Sequence, residues 1–397
     1  MIPRPPASNP PAPRARWVAG LVPLVLLAGL VALFLVADPL RNLRGDAPPV
    51  EELTITRAVL DERPRRIDLH VTNGGPEPVT VSQIQVDGAF WPYKLDGSRQ
   101  IDRLGSRRVR IDYPWVDGET HQVVLLSSTG VAFAHEIPVA VRTPDVTRST
   151  LLTFTLLGAL VGVVPVLLGL LWLPFLSSLR PRWVNFFLAL TAGLLVFLGA
   201  EAVHEALEVS ALVPGAFQGF GLVVLGVLLS IALLYGIGGW MRSRRGSASP
   251  FYVALLVALG IGLHNLGEGL AIGAAYSLGE VGLTSFLVLG FILHNTTEGL
   301  GIVAPLARER PSIRSLLLLG AIAGVPTIAG TWIGGLSYNP AAAVLFLSLG
   351  AGAIFQVVVE IASMIRRSDE PLAAPLNAGG LAVGLAVMYA TGLLVPA

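Results

Sequence analysis

Between residues 151 and 394 the sequence divides into eight apolar stretches, at 151–173, 184–207, 217–240, 251–276, 283–306, 315–336, 342–365 and 379–394. A helix of about 20 apolar residues crosses the hydrocarbon core of a bilayer. Lipid offers no partner to a free backbone N–H or C=O, so such a chain is constrained to a bundle of membrane-spanning helices. The composition agrees: 53% of the 397 residues are hydrophobic and 13% charged, with a mean hydropathy of +0.69. The bilayer is therefore the first expected partner. A formal net charge of +1 and the lack of any basic run interleaved with aromatics give no footing for nucleic acid. Cysteine is absent, which removes both disulfides and thiolate metal ligands.

The part before the bundle is built differently. Residues 1–16 are rich in proline and carry Arg4, Arg14 and Arg16, the pattern of a disordered cytoplasmic tail. Residues 17–37 hold an apolar run longer than an ordinary signal-peptide core, expected as an uncleaved signal-anchor helix. From 47 to 143 the composition becomes that of a soluble domain, with strand-like runs at 50–55, 66–71, 79–86, 89–94, 108–113, 122–127 and 131–141. Asn73-Gly74-Gly75-Pro76 and Asp117-Gly118 read as turns. Seven short strands in under a hundred residues predict a small β-sandwich held by its apolar core alone. His121 and His135 flank a hairpin turn at Ser128-Thr129-Gly130 and are placed to face one another across it, whereas His70 has no evident partner.

The loops give the bundle an orientation. Arg180 and Arg182, then Arg242, Arg244 and Arg245, then Arg308, Arg310 and Arg314, then Arg366 and Arg367 fall in alternate connections, and the short loops between them hold no arginine or lysine. The positive-inside rule makes the arginine loops cytoplasmic and puts the β-domain on the other side. Lys94 is the single lysine beside abundant Arg, Ala, Gly and Pro, a codon bias that suggests a GC-rich bacterium and hence the cell membrane.

The chemistry is concentrated in two of the stretches. His264-Asn265-Leu266-Gly267-Glu268-Gly269 in the fourth is answered by His294-Asn295-Thr296-Thr297-Glu298-Gly299 in the fifth, both reading H-N-x-x-E-G near mid-span. On a helix, positions i and i+4 lie about 40° apart, so each hexad forms one polar stripe. The fourth and fifth spans, joined by a turn near 277–280, must run antiparallel, and their midpoints meet at one level. Imidazole, amide oxygen and carboxylate suit a borderline divalent cation such as zinc, iron(II), manganese(II) or cobalt. Ionisable groups at that depth are costly and mark function more often than helix-to-helix glue. His204 and Glu208, also i and i+4, sit at the outer end of the second span as a point of first attraction for a hydrated cation, or as a solvated helix end. Gln356 and Glu360 near the inner end of the seventh offer exit ligands, or a pairing with Arg366 and Arg367.

From 150 to 397 these residues resemble the ZIP family of divalent metal transporters. The resemblance rests on eight spans with H-N-x-x-E-G on the fourth and fifth, on Gly269-Leu270-Ala271-Ile272-Gly273-Ala274-Ala275, and on His204 with Glu208. It leaves out the anchor and the β-domain. It implies a binuclear centre, movement of metal from outside to cytoplasm, and a homodimer, with the metal as transported substrate, zinc first, and no organic cofactor. One ion would be held by His264, Glu268, His294 and Glu298, the other by Asn265, Asn295 and the same two glutamates. The chain departs from the family pattern at Gly267 and Thr297, where proline is usual, and at Thr327, where the sixth helix usually carries glutamate. Two carboxylates neutralise one dication, so the second site is expected to be weak or empty. Without metal, two glutamates this close are expected to share a proton that the metal displaces, which makes transport sensitive to external pH.

Two other classes compete with a transporter. His204-Glu205-x-x-Glu208 looks superficially like the H-E-x-x-H helix of zinc hydrolases, but lacks the second histidine. A sensor or adhesion protein would use the β-domain to bind a partner and the helices as an anchor, for which eight polar-studded spans are excessive.

Overall fold

Helices that are apolar all round must be surrounded by other helices or by lipid, and that is how this chain is built. The computed structural model describes residues 13–37, 49–245, 249–277, 281–368 and 370–393. The chain divides into two units, 1–49 and 50–397. In the first, α1 (Pro13–Ala37) is a 25-residue helix, and its side chains from Leu21 to Leu33 are exposed. The expected anchor at 17–37 lies within it. Residues 1–12 of the expected tail and the turn residues 278–280 lie outside the described residues.

The second unit opens with nine strands: β1 (Leu53–Glu62), β2 (Arg65–Asn73), β3 (Val79–Val86), β4 (Ala89–Phe90), β5 (Tyr93–Leu95), β6 (Gln100–Ile101), β7 (Ser106–Ile111), β8 (His121–Ser127) and β9 (Ala132–Ile137). One sheet has the order β1-β2-β7-β5, the other β4-β3-β8-β9 with β6 paired to β3. Alternate residues point inward, so Ile67, Leu69 and Val71 of β2 meet Val79, Val81 and Val86 of β3 in a core where each is 0% exposed. Trp115, 1% exposed, closes that core and donates its indole N–H to the Asp61 carbonyl. The first strand, expected at 50–55, runs to Glu62 because its outward charges need no core. The strand expected over 89–94 is cut at Trp91-Pro92, where proline has no N–H for a ladder, and its halves join different sheets.

The paired-histidine expectation is corrected by register. His121 lies opposite Ile137, and His135 opposite Val123, so the two are diagonal. Both ring nitrogens of His121 are engaged: Nδ1 lies 2.8 Å from Asp87 Oδ2, and Nε2 accepts from the Val116 N–H at 3.2 Å. Asp87 also accepts from Tyr113 at 2.7 Å and from the Gln122 N–H at 2.8 Å. Burial pushes the Asp87 carboxyl up, but hydrogen bonds from Tyr113, Gln122 and His121 outweigh it, and the net shift is downward. Burial and the same contact push the Tyr113 hydroxyl up to about 12. A depressed carboxyl contributes stability that is whole above its unfolded value and lost as pH falls through the folded one. Asp87→Ala is therefore expected to cost the sandwich about 1–3 kcal/mol at neutral pH and to flatten its acid sensitivity. Hydrogen exchange at the Val123 and Leu125 amides would read both effects, and unchanged acid sensitivity in the variant would refute the assignment.

The bundle follows. Its first span is α2 (Arg148–Gly158), a wide π turn (Ala159–Val163), α3 (Val164–Leu170) and α4 (Leu173–Ser178). Then come α5 (Pro181–Ser210), α6 (Gly219–Arg245), α7 (Pro250–Ser277), α8 (Val281–Val303), α9 (Ile313–Ser337), α10 (Pro340–Arg366) and α11 (Pro375–Gly392). Seven of the described helical stretches are long and apolar enough to cross a membrane. Most of the eighth expected span, 379–394, falls in α11, a described helix of 18 residues that is not among the seven. It still packs on α5, where Gly384 lies against the backbone around Leu194. In α7, 72% of the most apolar window is buried, against 22% in α6, which makes α7 the central helix and α6 a peripheral one.

The sandwich rests on one end of this bundle. Arg57 of β1 donates to the Leu336 carbonyl at the end of α9 at 2.7 Å, and Glu52 accepts from the Gly215 N–H before α6 at 2.6 Å. Both contacts engage helix-end backbone groups that have no intrahelical partner. The arginine-bearing connections join helices at the opposite end.

Candidate metal centre

The two hexads run as uninterrupted helix in α7 and α8, so Gly267 and Thr297 introduce no break. All six polar residues are buried, from 0% for Asn265 and Asn295 to 7% for His294. Glu268 is the hub. Its Oε1 lies 3.3 Å from His264 Nε2 and in short contact with His294 Nε2, while Oε2 accepts from Asn295 Nδ2 at 2.9 Å. Ligand atoms of His264, Glu268 and His294 all lie within 4.8 Å of one another, close enough for one ion, and no other such trio of His, Asp or Glu occurs among the described residues.

The amides are held from behind. Asn265 Nδ2 donates to the Ala323 carbonyl of α9 at 3.1 Å, and Asn295 Nδ2 to the Val161 carbonyl of the π turn at 3.0 Å. With each nitrogen tied to a neighbouring helix, each Oδ1 is left as the free end. Among the described residues neither Oδ1 finds a donor, nor does either oxygen of Glu298, nor the Thr327 hydroxyl. Buried acceptors are normally paired, and leaving one unmet costs about 1–3 kcal/mol. Four acceptor-only oxygens beside two imidazoles, with no lysine or arginine in either hexad, is a donor set that a divalent cation would satisfy.

Backbone proximity makes the arrangement possible. The glycine that ends each hexad is where its helix crosses a partner. A Cβ on Gly269 would lie 3.0 Å from Gly330 Cα in α9, and one on Gly299 would lie 2.8 Å from Gly169 Cα in α3. The partners are themselves alike. Gly162-Val163-Val164-Pro165-Val166-Leu167-Leu168-Gly169 corresponds to Gly324-Val325-Pro326-Thr327-Ile328-Ala329-Gly330 with one extra valine, and the π turn lies over that extra residue. Insertions of this kind are what π turns absorb. Neither anchoring carbonyl shows in a residue pattern, whereas the repeat is legible as G-V-x-P-x-x-x-G beside G-V-P-x-x-x-G. In this register Thr327 corresponds to Val166, so neither copy carries a carboxylate.

The remaining sequence candidates lie on α5 and α10. His204 Nε2 lies 3.2 Å from Glu208 Oε1 at the sandwich end of α5, with side chains 74% and 67% exposed. Gln356 and Glu360 are each 5% exposed on α10. Neither pair belongs to the trio. The chain matches no known family model and no curated protein.

Proposed function

We propose that this chain is a ZIP-like transporter of divalent metal, zinc before iron or manganese, that moves the ion from outside to cytoplasm through the paired hexads. One observation carries the reading. Buried oxygens of Asn265, Asn295 and Glu298 without donors surround the His264/Glu268/His294 trio, midway along two helices of membrane-crossing length. A structural network would have paired those acceptors with donors; a site for a passing cation leaves them free. The alternation of arginine-bearing loops supports an extracytoplasmic sandwich in a bacterial cell membrane, and the resemblance supports a homodimer. Thr327 in place of a carboxylate supports one well-held ion rather than two.

The chain's own residues supply the steps. Glu268 orients both imidazoles, Asn265 and Asn295 present oxygen because their nitrogens are held by helix carbonyls, and Glu298 brings the second negative charge. Radioactive zinc uptake into liposomes containing the full chain, with manganese and iron as competitors, tests the reading. Saturable uptake that depends on the protein and is suppressed by Glu268→Gln/Glu298→Gln is expected. Binding without any movement of metal across the bilayer would overturn it.

A further inference from the structure

The outer face of the sheet β1-β2-β7-β5 is ordered in rows of cross-strand neighbours, and two of its charged rows are balanced. Asp61 of β1 lies opposite Arg66 of β2 and pairs with it. In the next row Asp68 lies opposite Arg110, with Lys94 beyond it on β5. Asp68 pairs with Arg110 at 3.2 Å and with Arg66 at 3.8 Å, and Lys94 pairs with Asp112 at 3.7 Å. The third row is different. Arg57, His70 and Arg108 stand side by side on β1, β2 and β7, an arrangement in which like charges directly opposite one another are destabilising. Among the described residues none of the three forms an ion pair.

Other partners are also few. Among the described residues the His70 ring and the Arg108 guanidinium make no hydrogen bond, and Arg57 donates only to the Leu336 carbonyl. Arg57 lines a cavity of about 470 Å³ between β1, β9 and the ends of α7 and α9; Glu136 lines it too, without pairing with Arg57. Burial, then the charges of Arg108 and Arg57, hold the His70 imidazole below its usual range, against an upward pull from Asp68. The row begins at the level of the bilayer surface. α9 has 25 residues, about 37 Å of helix against about 30 Å of hydrocarbon, so the carbonyl that Arg57 meets at its end stands among headgroups. Trp332, one turn before Leu336, and Tyr276 near the end of α7 are 40% and 41% exposed, and amphipathic rings of this kind mark the headgroup boundary.

We propose that Arg57, His70 and Arg108 bind the phosphodiester group of an anionic phospholipid and so seat the sandwich on the bilayer surface. The outer two strands of the row are about 10 Å apart, which sets a short imidazole between two long guanidinium side chains. A guanidinium fork matches two phosphate oxygens at once, and the imidazole between them supplies one more N–H. A zwitterionic headgroup brings its own cation beside the phosphate, and two uncompensated arginines repel it, so a headgroup of net negative charge is favoured. The inference uses the membrane-spanning bundle and is independent of any metal.

The test is native mass spectrometry of the purified full chain in detergent, titrated with phosphatidylglycerol, with phosphatidylcholine or with inorganic phosphate. Wild type is expected to hold one phosphatidylglycerol about tenfold more tightly than phosphatidylcholine, and Arg57→Gln and Arg108→Gln each to weaken that binding about tenfold. Lys94→Gln removes a positive charge from the same face, but one already paired with Asp112, and is expected to bind as wild type does. Arg108 is exposed, so its variant reads the site even if loss of the Arg57 bond to α9 loosens the sandwich. Arg108→Gln that binds phosphatidylglycerol like wild type overturns the site. So does equal weakening by Lys94→Gln, which would reduce the effect to general surface charge, and so does equal affinity for the two lipids. Displacement of the lipid by inorganic phosphate at the same concentration overturns the phospholipid as occupant.

Discussion

Glu298→Gln is expected to make the metal-free protein more stable while abolishing its response to zinc, whereas Glu268→Gln is expected to lose both stability and zinc. The two glutamates occupy equivalent places in the hexads but not in the structure. Glu268 is contacted by both imidazoles and by Asn295. Glu298 is 3% exposed, and neither of its oxygens is hydrogen-bonded among the described residues. Removing one partner of a buried charged network costs about 3–5 kcal/mol, and an amide at 268 would turn an N–H toward Asn295 or His294. Neutralising Glu298 instead relieves an unmet carboxylate, about 1–3 kcal/mol. Each variant loses a ligand of the trio or its neighbour, so zinc affinity is expected to fall at least about a hundredfold in both. Thermal unfolding in detergent, with chelator and with zinc, separates the effects. Equal destabilisation of the two apo variants would show that the asymmetry at the hub has no energetic weight.

Gly269→Val and Gly299→Val are expected to be the most damaging single changes outside the ligands. The added Cβ of residue 269 meets backbone, with Thr331 N at 2.9 Å and Gly330 Cα at 3.0 Å, and backbone has no rotamer by which to give way. Overpacking of a buried site costs about 1–3 kcal/mol even where side chains can shift, and here the helices must separate. Separation of α7 from α9 also lengthens the 3.1 Å bond that orients Asn265, so metal binding is expected to fall with stability. Gly236→Ala in α6 is the control: nothing lies within 4 Å of its Cβ position, and losing a helical glycine there is expected to gain about 0.5–1 kcal/mol. If the three variants melt alike, close helix approach is not what holds the centre.

The six buried polar residues of the hexads were legible in the sequence because they violate their surroundings: histidine, asparagine and glutamate in the middle of apolar stretches stand out against leucine and glycine. The sequence also revealed the two-layer domain ahead of the bundle, since alternation and Gly-rich turns are local signals. What it concealed depends on distance in space. The carbonyls of Val161 and Ala323 are backbone atoms, invisible in any residue pattern, and meet the asparagines only where the π turn and α9 come against the hexads. Register hid the diagonal placement of His121 and His135, because a two-residue shift leaves every side chain on the same face.

The wide turn at Ala159–Val163 also governs how the two copies around the centre can change. Deleting Val164 would make the first copy match the α9 copy letter for letter over Gly-Val-Pro, yet it would swing everything from Arg148 to Gly162 through about 100°. The Val161 carbonyl would leave Asn295, and Phe154, whose carbonyl accepts from Thr331 at 2.8 Å, would turn away from α9. One half of this pseudo-symmetric pair is thus out of phase by a single residue, and its partners have been fitted to that offset. The likeness of the two copies is one of residue pattern and outline; they are not interchangeable parts.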